Sequence, residues 1–117
     1  MRYVMIIVGD ETAWYEPKLP DGLMDEVGAW WGKWFEAGKI ADGGAELQRT
    51  ETARTVGAGD GGRPTVTDGP FVELKEQIGG FIHLVADDID DAVAVAATWP
   101  GIAAVGDRVE VRPVLER

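Results

Sequence analysis

Apolar residues run unbroken from 3 to 8, Tyr-Val-Met-Ile-Ile-Val, where a half-buried strand would alternate. A strand apolar on both parities must be covered on both faces. The helices of so short a chain can cover one face, so the other calls for a partner chain. Gly9-Asp10-Glu11 closes the run with a turn signal. From about position 20 or 21 the rhythm becomes helical: Leu23, Val27, Trp30, Trp31, Trp34 and Phe35 recur at i, i+4, i+7, i+8, i+11 and i+12. Asp25 and Glu26 fall early and Lys33 and Lys39 late, as the helix dipole favours, and Gly38 suits the C-terminal cap. The tryptophans form either a core stripe or a ligand stack. In the preceding connection, 12–22, Trp14 and Tyr15 are either lids on the core edge or a pocket rim.

Residues 40–48 read as a short strand with an irregular start at Gly43-Gly44, and 52–56 as a second short β segment. The glycine-rich turn GAGDGGRP at 57–64 lets 64–67 pair back as a projecting ribbon. It has neither the strand-then-helix frame nor the following Lys-Ser/Thr of a phosphate cradle. Residues 73–77 read as a helical turn or irregular chain. The strand at 78–86 sets Ile78, Gly80, Ile82, Leu84 and Ala86 on one parity and Gly79, Phe81, His83 and Val85 on the other. Asp87, Asp88, Asp90 and Asp91 suit the cap and first turn of a helix better than a metal cluster. That helix carries Ile89, Ala92, Val93, Ala96 and Ala97, and Trp99-Pro100-Gly101 stops it. Residues 108–115 alternate, with Pro113 placed as an edge strand tolerates it. The order β-α-β, hairpin, β-α-β is the split βαβ, ferredoxin-like α+β plan: an antiparallel sheet with two helices on one face. Its open face predicts a closed, isologous homodimer.

At 117 residues the chain is one domain, 1–117, with 45% hydrophobic and 27% charged residues. Twenty-one acidic against eleven basic residues leave a formal charge of −10, which argues against nucleic acid and anionic membranes as partners. The chain has no cysteine, hence no disulfide, thiol nucleophile or thiolate metal site. The start of the chain lacks the basic lead-in and cleavage signal of an export peptide, and no apolar run approaches the roughly 20 residues of a membrane span. These features predict a cytoplasmic protein.

The most particular stretch is TDGPFVELKEQIGGF at 67–81, a turn signal at Asp68-Gly69-Pro70 followed by an apolar anchor, three ionisable residues and a Gly-Gly strand opening. It resembles the DGPF branch of the YCII-related proteins, with DGPF at 68–71. The likeness extends to the first strand, Gly43-Gly44, the Ala-Asp-Asp at 86–88 and EVRPV at 110–114. The resemblance implies a dimeric α+β barrel. Other YCII proteins carry a His–Asp pair, its histidine in the first helix, associated with acid–base chemistry. Here that helix reads LMDEVGAWWGKWF and has no histidine. The candidates that remain are Asp68, Glu73 and His83 for acid–base or orienting roles, and Lys75, Glu76, Gly79, Gly80, Phe81 and Asp10 around a bound substrate. Gly79-Gly80 lets a ligand or another backbone come close, and Lys75 either contacts an anionic substrate or holds the turn in place. No metal or cofactor is expected. One expectation is a small-molecule enzyme or binder with its pocket at the sheet and dimer interface, acting by isomerase- or lyase-type acid–base chemistry on a small cyclic substrate. The other is an accessory or regulatory dimer, since proteins resembling this one often sit beside extracytoplasmic-function sigma factors.

Overall fold

Alternation along the first strand decides which side of the sheet becomes the core. In β1 (Arg2–Gly9) Tyr3, Met5 and Ile7 are buried while Val4, Ile6 and Val8 are half-exposed on the opposite face. The computed structural model describes residues 1–15, 19–69 and 77–117. After β1 come a single helical turn α1 (Thr12–Tyr15), the long helix α2 (Leu23–Glu36) and β2 (Ile40–Glu46). A ribbon of β3 (Arg54–Ala58) and β4 (Pro64–Asp68) is followed by β5 (Gln77–Val85), α3 (Ile89–Ala96), the short α4 (Gly101–Val105) and β6 (Arg108–Pro113).

The main sheet has the order β2-β5-β1-β6, all antiparallel, consistent with the ferredoxin-like arrangement expected from the pattern. β6 is an edge strand, which explains how Pro113 is accommodated. The helices lie against the odd face of β1. Tyr3, Met5, Ile82, Leu84, Ala92, Val95, Trp30 and Trp99 form the core there, with Val27 and Trp34 packed against it. Ile82, Leu84 and Ala86 are buried as their parity predicts. Ile78 is not: the register slips between Ile7 and Val8, so that Ile7 faces Gly80 but Val8 faces Ile78. This bulge at Gly79 moves Ile78 to the opposite face, where it is 52% exposed. Gly80 is there for close approach, as a Cβ on it would stand 2.9 Å from the carbonyl oxygen of Ala45 on β2. The close neighbour is therefore a backbone.

Helix ends follow their sequence signals. Asp88 caps α3, its Oδ1 accepting from the Asp91 N–H at 2.8 Å, and Asp91 in turn pairs with Lys39 at 2.7 Å. The stripe of α2 divides: Leu23 and Trp30 are buried, whereas Phe35 is 65% exposed. Trp30 and Trp34 both donate through Nε1 to Thr98 Oγ1 at 3.0 Å, fastening α2 to the end of α3. The connection between α3 and β6 contains α4, where the sequence pattern predicts only a stop.

The ribbon pairs in register from Arg54–Asp68 to Ala58–Pro64, with Val56 opposite Val66. Both valines are about two-thirds exposed. The radius of gyration, 16.2 Å, exceeds the roughly 13 Å of a compact chain this long, in keeping with a projecting ribbon. No helix among the described residues is long and apolar enough to cross a membrane.

Candidate functional site

A cavity of about 250 Å³ opens on the helical side of the sheet, at the end where β1, β5 and β2 meet α1 and α2. Ile7, Gly80 and Ile82 border it from the sheet, and Trp14, Tyr15, Met24, Val27 and Trp31 from the helices. It thus sits within one chain, where the sequence reading places the pocket at an interface between sheet and partner.

Asp107 lies at the inner wall of this cavity, immediately before β6, and is only 3% exposed. Two tryptophans from distant parts of the chain hold it. Trp14 Nε1 donates to Oδ1 at 3.1 Å and Trp99 Nε1 to Oδ2 at 3.0 Å. The backbone is shaped around the carboxyl group. A Cβ on Gly101 would overlap Oδ2 and stand 2.6 Å from Trp99 Nε1, and one on Gly9 would stand 2.5 Å from Oδ1. Among the described residues the carboxyl group meets these two neutral donors and no cation. Burial pushes its pKa above the ordinary 3.8, and the two indole hydrogen bonds oppose but do not cancel that effect. The arrangement is a buried carboxyl group between two indoles, displaced toward carrying a proton.

Two further carboxylates among the described residues border the cavity. Glu11 accepts from the Thr50 N–H at 2.9 Å and the Thr50 hydroxyl at 2.7 Å, tying the end of β1 to the turn that precedes the ribbon. Glu46 lies on β2, in register with Gly80 and exposed. Gln48 and Gln77 also line the cavity.

The residues singled out from sequence are dispersed. Gly79, Gly80 and Phe81 border the cavity, although the register of Phe81 with Ile6 sets its ring on the open face beside His83. His83 pairs with Val4 on that same open face, its ring centroid 6.0 Å from that of Phe81. It does not line the cavity. Asp68 is at the end of β4, its side chain 91% exposed and paired with Arg54 at 3.1 Å. Asp10 is exposed and accepts from the Thr12 N–H and hydroxyl at 3.0 and 2.7 Å, at the start of α1. Glu73, Lys75 and Glu76, like the Pro-Phe half of the DGPF motif, lie outside the described residues. Asp107 was not singled out from sequence. The only signals for it are the close-packing glycines Gly9 and Gly101, and its two partners are 93 and 8 residues away.

A family model of the YCII-related domain matches residues 1–117. An uncharacterized protein of Rhizobium meliloti (strain 1021) is 32% identical over 117 residues, covering 97% of this chain and 92% of that one.

Proposed function

The chain belongs to the YCII-related family, and on that premise we propose that it is a small-molecule enzyme whose acid–base group is Asp107. The observation that carries this reading is a buried carboxyl group, held by two neutral indole donors, in the wall of an apolar cavity. A carboxylic acid whose pKa is raised can give a proton to a substrate and take one back, and it does so best as its pKa nears the working pH. The two Trp Nε1 donors fix the carboxyl plane. Trp14, Tyr15, Trp31 and Trp99 line the cavity with aromatic surface, which suits a small cyclic substrate. Isomerisation or elimination fits such a site, because each needs a proton moved at a position the cavity wall defines. The test is native mass spectrometry of the protein taken from its own cell. A small molecule retained by the wild type and lost from Trp31→Ala supports the reading; recovery of the chain with a stoichiometric protein partner and no small molecule contradicts it.

The active unit in this proposal is a homodimer joined through the open sheet face. Val4, Ile6 and Val8 of β1 stand beside Phe81 and His83 of β5 and Ala41 and Ala45 of β2 on that face. Covering such a face contributes about 2.5 kcal/mol for each 100 Å² of apolar surface. A second reading, an accessory or regulatory dimer, draws support from the exposed Val56–Val66 pair, since an isolated two-stranded ribbon is marginal in water and gains from a partner surface.

A further inference from the structure

We infer that the ligand of the cavity is a small organic cation, a protonated amine or quaternary ammonium on a single ring, rather than an anion. The inference rests on the reading of this cavity as a small-molecule site and goes on to its charge. Among the described residues three acids line the cavity, Asp107, Glu11 and Glu46, and no Lys, Arg or His does. The Asp107 carboxyl group receives two neutral N–H donors, and Glu11 receives a neutral N–H and a hydroxyl. These bonds satisfy geometry without supplying positive charge. Trp14, Tyr15, Trp31 and Trp99 add aromatic surface to a wall otherwise made of aliphatic, glycine and glutamine residues. The faces of such rings attract a cation, most strongly where water is excluded. Arg49 already illustrates this at the site's margin, its guanidinium 4.8 Å from the Tyr15 ring centroid, yet it does not itself line the cavity. The carboxylates of Glu11 and Glu46 beside this aromatic surface favour a positive ligand, and an anion would meet like charge there. The size, about 250 Å³, lies just below the range of drug-sized pockets and suits one ring with a short charged arm.

The experiment compares three probes of one shape, benzylammonium, benzyl alcohol and benzoate, by quenching of tryptophan fluorescence at pH 7 and low ionic strength. Benzylammonium is expected to bind at least tenfold more tightly than benzyl alcohol, and benzoate more weakly than both. Glu46→Gln, an exposed position that leaves the core intact, should weaken benzylammonium about threefold and leave benzyl alcohol unchanged. Asp25→Asn, an exposed acid on α2 outside the lining, should change neither. Equal binding of benzylammonium and benzyl alcohol overturns the inference while leaving a small-molecule cavity standing. Tighter binding of benzoate, lost in Lys75→Ala, overturns it in favour of an anion site. Equal weakening by Asp25→Asn and Glu46→Gln overturns it in favour of the overall charge of the chain. Failure of every probe to bind removes both the inference and the reading beneath it.

Discussion

Replacing Asp107 by asparagine keeps the size of the side chain and removes its ability to accept at both oxygens. One indole N–H retains a carbonyl acceptor, and the other meets an amide N–H₂ group. Trp99 is 7% exposed, so its donor cannot turn to water, whereas Trp14 is half-buried and has a route to solvent. An orphaned buried donor costs about 1–3 kcal/mol. The substitution should therefore destabilise the fold by about 1–3 kcal/mol, and by the lower part of that range if the amide orients to spare Trp99. The pH dependence is more telling than the size. Asp107 has a folded-state pKa raised above its unfolded value, so the native state holds its proton more firmly. The slope of stability with pH is then negative between the two pKa values, and stability supplied by the neutral acid is lost as pH rises through the folded value. Asparagine does not titrate. Urea unfolding of both proteins, followed by far-ultraviolet circular dichroism from pH 3 upward, should show the wild-type advantage largest at the acid end. It should shrink with rising pH and level off above the folded pKa. An advantage that grows with pH would mean a carboxylate stabilised in its charged form, and would refute the account of the site.

Ile6→Asp, on the open face, should leave a folded chain that sediments as a monomer at micromolar concentration, where the wild type is expected to sediment as a dimer. Met5→Asp, at 0% exposure in the core, should unfold the chain instead. Gly101→Ala should cost about 1–3 kcal/mol in chemical denaturation, because the new methyl group overlaps the Asp107 carboxyl group. Asp88→Ala should cost about 1 kcal/mol through loss of the α3 cap, read as a lower thermal midpoint.

The sheet was legible because its signals are local. Parity alone assigns Ile82, Leu84 and Ala86 to the core, and the two-faced apolar run of β1 announces an open face beside the helical one. Ile78 breaks its parity because a bulge is a pairing event, visible only once β1 and β5 are in register. α4 spans five residues, too few for a helical period to show. The site was harder for the same reason. Asp107 follows a glycine and precedes an arginine, which is ordinary turn chemistry. Its character comes from Trp14, brought across 93 residues of chain, and from two glycines that leave room for the carboxyl group. The acids of the DGPF stretch drew attention by their density, yet the described one, Asp68, ends in an exposed pair with Arg54.

The most direct test is a carbon-13 nuclear magnetic resonance titration of the Asp107 carboxyl carbon, with and without a compound seated in the cavity. The account predicts a midpoint above the ordinary 3.8 and a clear displacement of that midpoint when the cavity is filled. A midpoint at or below the ordinary value, indifferent to the compound, would contradict it.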